Sequence, residues 1–142
     1  MNQSDLRLPE GFEPLLMPGE FMDLVGPYFA KRLPDGSYRY GLASDKRHTN
    51  TNGLVHGAAY MGFVDTIMGH AVREGIGRNC ATISLHSHFV GSVKPGAWME
   101  ATVTITRATR SMAYMQAEIF SDETVLHTAS GIFKLFAELP KE

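Results

Sequence analysis

Cysteine is nearly missing from this chain. Cys80 is the only one in 142 residues, so no disulfide can form within it and nothing argues for an oxidising compartment. A lone cysteine at the edge of an apolar strand reads as packing rather than as a nucleophile. An excess of one charge is missing too: thirteen basic against fifteen acidic residues leave a formal −2. Such a chain lacks the basic field that draws nucleic acid or an anionic membrane surface. The first residues have neither the basic start nor the apolar run of a secretory signal. The one long apolar stretch carries Asp65 and His70 well inside it, which argues against a membrane span. These absences predict a cytoplasmic protein with neither nucleic acid nor membrane as a partner.

What is present is the mix of a globular domain, 44% apolar and 20% charged, in a chain long enough to bury about two thirds of its unfolded surface. Residues 1–24 read as an irregular leader, with Pro9, Pro14 and Pro18, ending in a short helical turn from Gly19 to Val25. Residues 25–142 read as a single domain. It is organised around HGAAYMGFVDTIMGHAVRE, His56 to Glu74, whose apolar residues run almost all the way round, the pattern of a helix wrapped by other elements. Gly75 is placed to end it. Asp65 stands in its middle, and burying an unpaired carboxylate costs several kcal/mol on an order-of-magnitude view, so its presence calls for a reason.

The remaining segments alternate as strands do. Tyr28 to Leu33, the turn Pro34-Asp35-Gly36 and Ser37 to Ala43 form a hairpin. After the helix come Ala81 to Val90, Trp98 to Arg107, Met112 to Phe120 and Val125 to Phe136. In the first of these, Ile83, Leu85, Ser87 and Phe89 fall on one face and Thr82, Ser84, His86 and His88 on the other. In the next two, Met99, Ala101, Val103 and Ile105, then Ala113, Met115, Ala117 and Ile119, make the apolar faces. Two strands, one long helix and then strands without helices between them exclude a doubly wound parallel fold. The prediction is an α+β domain in which an antiparallel sheet wraps around one central helix.

Chemistry is expected where the polar loop Ser44 to Val55 enters the helix. The first N–H groups of a helix lack partners and carry partial positive charge, and Gly57, without a side chain, lets a carbonyl oxygen approach its amide. Eight helical residues separate Gly57 from Asp65 by about 12 Å along the axis, whereas a base and an oxyanion donor serving one carbonyl must each come within about 3 Å of it. One helix cannot supply both, so a shared site requires a twofold dimer. His86-x-His88 has two imidazoles on one strand face, but no third ligand stands nearby in sequence and no metal site is expected.

Asn50-x-x-Gly53-x-x-His56-Gly57-Ala58 followed by Asp65 resembles the signature of hot-dog-fold acyl-CoA thioesterases of the phenylacetate-degradation type. The resemblance in element order covers Val25 to about Phe136. It implies a hot-dog fold, homodimers pairing into homotetramers, and hydrolysis of acyl thioesters of coenzyme A without metal or other cofactor. Carried over by position, Asp65 is the general base or nucleophile and Gly57 the backbone donor to the thioester carbonyl. Asn50 helps place the carbonyl or the water, His56 supports the loop or the leaving group, and Thr82 holds the water or the carboxylate. Lys94, Arg107, Arg110 and Lys134 are the cations available for the CoA phosphates. Ala58 replaces the second glycine of the signature, Thr51 stands where proline is common, and Thr109 stands where glycine is usual in the later turn; each bears on the subfamily and the acyl pocket. The alternatives are a hot-dog hydratase or dehydratase and a noncatalytic acyl-CoA-binding module.

Overall fold

The computed structural model describes residues 7–140, so the first part of the expected leader, before Arg7, lies outside the described residues. In chain order the elements are β1 (Glu13–Pro14), α1 (Glu20–Val25), β2 (Tyr28–Arg32), β3 (Tyr38–Ala43), a 3-10 turn (Lys46–His48), α2 (Gly57–Ile76), β4 (Arg78–Phe89), β5 (Trp98–Ala108), β6 (Met112–Ser121) and β7 (Thr124–Glu138). The strands form one seven-stranded sheet in the order β1-β2-β3-β5-β6-β7-β4, with every neighbouring pair antiparallel. The long helix therefore interrupts the sheet in sequence, and β4, which follows it, returns to the far edge.

The period-two reading holds where it matters for the core. Met99 and Ala101 of β5 and Ala113, Met115, Ala117 and Ile119 of β6 are all buried against α2. From the helix they meet Phe63, Val64, Ile67, Met68 and Val72, each with no exposed surface. Burial of one such side chain contributes about 1.5–3 kcal/mol relative to leaving it in water. The sheet wraps this side of the helix as expected, and the cover is incomplete along one strip, where Met61, Gly62, Asp65, Thr66 and Gly69 are partly exposed.

The helix also runs past Gly75. Its C-terminal cap is Gly77, left-handed at φ 75° with its N–H bonded to Arg73 O at 3.0 Å, a conformation that glycine takes without the steric cost of a side chain. Beyond it, Arg78 closes the end of the domain by donating to the carbonyls of Phe136, Arg110 and Leu135 at 2.6, 2.7 and 3.3 Å. Arg47 does the same at the leader, donating to Leu24 O at 3.0 Å and Gly26 O at 2.6 Å.

Register shifts occur at four places, Arg78/Cys80 and Thr82/Ser84 in β4, Ile105/Arg107 in β5 and Ile119/Phe120 in β6, and two of them bear on the site and the core. In β4, Thr82 pairs with Phe133 and Ser84 with Ile132, so Ile83 is an extra residue. Residues on either side of a bulge keep to one face across what would otherwise be a change of parity. Thr82 thus shares the helix side with Leu85, contrary to the strict alternation expected from sequence. In β7, Ile119 pairs with His127 and Phe120 with Val125, leaving Leu126 as the extra residue and both Leu126 and His127 fully buried.

Candidate active site

Asp65 lies on the uncovered side of α2, half-buried, and its Oδ1 accepts a hydrogen bond from Thr82 Oγ1 at 2.6 Å. These two residues, seventeen apart in sequence, are thus brought together as the motif implied, and the β4 bulge is what turns the threonine toward the helix. The Asp65 charge reaches its neighbours. Burial first, and that charge second, push the thiol of Cys80 upward, which keeps it protonated and supports its reading as packing. The same two causes, in the same order, push the Tyr28 phenol upward.

At the other end of the site, the start of α2, the helix-capping roles are filled within the chain. His56 is the N-cap: its Nδ1 accepts from Ala58 N at 2.8 Å, and its own N–H donates to His48 O at 2.6 Å. Asn50 Oδ1 accepts from Asn52 N at 2.9 Å and Leu54 N at 3.1 Å, closing the loop that precedes the helix. Ala59 N donates to His56 O at 2.9 Å. The Gly57 N–H is left without an acceptor among the described residues, at the positive end of a twenty-residue helix, where an oxygen carrying developing negative charge is favoured. The ring of Phe89 covers Gly57 so closely that a Cβ would lie 2.9 Å from its Cε1. Glycine here serves close packing as well as leaving the amide open.

The predicted residues therefore form two groups on one helix: Asn50, His56 and Gly57 at its start, Asp65 with Thr82 in its middle. The structure does not bring the groups together within one chain. Nor does it gather the expected phosphate-binding cations. Lys94 precedes β5 and Arg110 follows it, separated by a strand of eleven residues or about 36 Å; Arg107 lies near the Arg110 end, and all three are exposed. Lys134 stacks its ammonium 5.5 Å from the Phe136 ring. His86 and His88 point to the other face of the sheet, in a shallow pocket of about 420 Å³ lined by Thr102, Thr104, Gln116, Glu118 and Ser130. Among the described residues no group of three or more metal-ligating side chains occurs.

One neighbour of the site went unrecognised in the sequence. Tyr28, the first residue of β2, is 3% exposed, and its hydroxyl lies 3.5 Å from where a Cβ of Gly62 would stand, one turn before Asp65. Strand alternation alone could have placed Tyr28 inside, but nothing local links it to Asp65. The link is made by α1, which lays Phe21 over Gly62 and lets Met22 Sδ accept from Thr66 Oγ1 at 3.5 Å.

A single long helix packed on one face of a seven-stranded antiparallel sheet, with a carboxylate at mid-helix and an open amide at its start, defines the hot-dog class of folds. Within that class the chain belongs to the thioesterase superfamily, whose family model matches residues 52–127. It is 30% identical over 133 residues, covering 92% of this chain and 98% of the relative, to PA0474 of Pseudomonas aeruginosa, a protein described as a candidate esterase. Among solved structures, the conserved protein PA5202 of Pseudomonas aeruginosa matches with a TM-score of 0.76 at 23% identity, over 84% of this chain and 96% of that one. A Streptococcus pneumoniae thioesterase protein crystallised with coenzyme A matches with a TM-score of 0.73 at 17% identity, over 78% and 90%. The Escherichia coli PaaI protein of the phenylacetic acid degradation operon shares the fold at a TM-score of 0.67 and 14% identity, over 71% and 73%. Family membership supports a thioesterase-type activity. No helix among the described residues is long and apolar enough to cross a membrane.

Proposed function

We propose that the protein is a cytoplasmic acyl-CoA thioesterase, releasing a free acid and CoA from an acyl or aryl-acyl thioester. The observation that carries this reading is the Asp65–Thr82 hydrogen bond on the uncovered side of α2, because it holds a carboxylate in one orientation where a substrate can reach it. Asp65 acts as general base toward water, or attacks directly to give a transient anhydride. Gly57 N–H polarises the thioester carbonyl. Asn50 shapes the loop around that amide, and His56, already engaged as the helix cap, fixes the entry of the chain. A CoA-bound relative of the same fold supports the choice of thioester. The motif and the PaaI likeness make phenylacetate-type aryl groups one class to test.

The working unit we infer is a homodimer built on β4, with dimers pairing further into tetramers. This strand is twelve residues long, stands at the sheet edge, and exposes Ile83 and Phe89 by more than half; an unpaired edge of this kind invites another strand. Thr82 lies beside Asp65 and Phe89 beside Gly57. Antiparallel pairing of β4 with the same strand of a second copy, centred near Leu85 and His86, sets the Thr82 end against the Phe89 end. The Asp65 of one copy then faces the Gly57 of the other, which answers the distance of about 12 Å that separates them on one helix.

The test is free-thiol release from short, medium, long and aryl acyl-CoAs by wild type and Asp65→Asn. Loss of about a hundredfold or more in the variant is expected. Equal hydrolysis by both removes Asp65 from the reaction. Binding of acyl-CoA without turnover by wild type favours a binding module, and hydration of crotonyl-CoA favours a hydratase.

A further inference from the structure

Helix α2 contains glycine at four positions, and they differ in what forbids a side chain. At Gly57 a Cβ would lie 2.9 Å from Phe89 Cε1 and at Gly75 2.9 Å from Ile105 Cδ1; a side chain at either would oblige its neighbour to move. At Gly69 only Cys80 Sγ comes within reach, at 4.0 Å, and at Gly62 the nearest atoms are Tyr28 Oη at 3.5 Å and two Phe21 ring carbons at 3.9 Å. Those are ordinary contact distances. Alanine fits at Gly62 and is the better helix former, so packing within this chain gives no reason for glycine there.

The room over Gly62 has two polar neighbours. Helical side chains lean toward the helix N-terminus, so Asp65 covers the turn that contains Gly62. The Tyr28 hydroxyl reaches the same place. Tyr28 as a whole is buried, and its hydroxyl has no hydrogen-bond partner among the described residues. The oxygen is not one of the sealed, partnerless polar atoms of the interior; with no protein partner it opens onto the adjoining space and bonds to what occupies it. Burial and the nearby Asp65 charge keep the phenol protonated at neutral pH, so it is available as a donor.

We propose that the space over Gly62 holds the attacking water, whose oxygen accepts a hydrogen bond from Tyr28 Oη while one of its protons points to Asp65. This rests on the reading of Asp65 as general base. As the water oxygen bonds to the thioester carbonyl carbon, its proton passes to the Asp65 carboxylate. The carbon–sulfur bond then breaks, and the proton leaves with the CoA sulfur, giving acid and thiol. Tyr28 keeps its own proton throughout and contributes by holding the water oxygen in line. Thr82, on the opposite side of Asp65, fixes the carboxylate; Tyr28 fixes what the carboxylate acts upon.

The experiment measures kcat, KM and melting temperature for wild type, Tyr28→Phe, Gly62→Ala and Asp65→Asn on the acyl-CoA that wild type hydrolyses best. Tyr28→Phe is expected to lower kcat about 10- to 50-fold and leave KM within about twofold. Its melting temperature should not fall, because the deleted hydroxyl bonds to no other group of the protein. Gly62→Ala is expected to raise the melting temperature by about 2–4 °C while lowering kcat about tenfold, since the new methyl takes the water's place. A glycine kept only for packing would not give opposite changes in stability and rate. Unchanged kcat in both variants overturns the proposal, as does a Tyr28→Phe loss that tracks a lowered melting temperature. If Asp65→Asn is inactive while both other variants are fully active, the water site alone fails. If wild type and Asp65→Asn are equally slow, the general-base reading fails first and takes the water site with it.

Discussion

The two sides of α2 are built from the same twenty residues and follow opposite rules. On the sheet side Phe63, Val64, Ile67 and Met68 have no exposed surface, and any change of volume is felt by β5, β6 and β7 at once. On the other side Gly62, Asp65, Thr66 and Gly69 leave room, and the polar contacts found there are a single short hydrogen bond to Thr82 and a long one to Met22. The first side supplies the buried core contacts; the second leaves a hydrogen-bonded carboxylate partly exposed. Under the proposed function, a helix with one saturated and one unsaturated side separates stability from activity by rotation about its own axis.

That separation can be attacked from either side. The largest expected effect is Ile67→Ala, which empties a fully buried position between helix and sheet and should cost about 2–5 kcal/mol of unfolding free energy, read from denaturant titration. Its activity should fall only with the folded fraction. Asp65→Asn should do the reverse, with a loss of about a hundredfold in kcat, or roughly 2.7 kcal/mol of barrier, and an unfolding midpoint close to wild type. Thr82→Val, which keeps the volume and removes the clamp on Asp65, should reduce kcat about tenfold with little change in midpoint. If Thr82→Val instead unfolds the protein, the uncovered side is structural and the comparison collapses.

The smallest effect concerns pH and belongs to the saturated side. His127, packed by Tyr60 and Phe89, is held neutral by burial and, less strongly, by His88 nearby. His70, whose Nδ1 bonds the Tyr40 hydroxyl at 2.9 Å, is likewise lowered by burial, with Glu74 opposing and Arg73 adding to the shift. Because both folded pKa values lie below the unfolded ones, the unfolded chain binds more protons just below neutrality. Stability is therefore full above the unfolded histidine value of about 6.5 and declines as pH falls through the folded values. Melting temperatures from pH 8 to 5 should show the decline, and His127→Leu should flatten it.

Much of this arrangement was legible in the residues themselves. Period-two alternation marks β5 and β6 because each has one face on the core, and the loop-helix motif marks Gly57 and Asp65 because helix starts and mid-helix carboxylates have few physical excuses. The illegible parts share a cause: they depend on contacts between elements far apart in the chain. Gly75 and Gly77 are equally good helix stops until the second is seen to take the left-handed conformation that caps α2. Tyr28 meets Gly62 only because β2 starts where α1 ends, against the helix. Arg78 and Arg47 carry no local sign of their roles, yet each bonds to backbone carbonyls distant in sequence. The β4 bulge has no local sign, since Ile83 fits the pattern on either face.

That bulge has a consequence for how the chain tolerates insertion and deletion. β4 is written in two reading frames, Cys80 and Thr82 in one and Leu85, Ser87 and Phe89 in the other, with Ile83 as the shift between them. Removing that residue would merge the frames into one regular ladder: the later half, anchored by six cross-strand pairs along β7, would keep its faces, and Thr82, now next to Ser84, would stay opposite Phe133 on the Asp65 side. A single-codon deletion at Ile83 would thus leave both the fold and the clamp on its carboxylate in place, whereas loss of a residue on either side of it would have to be absorbed by that spacer.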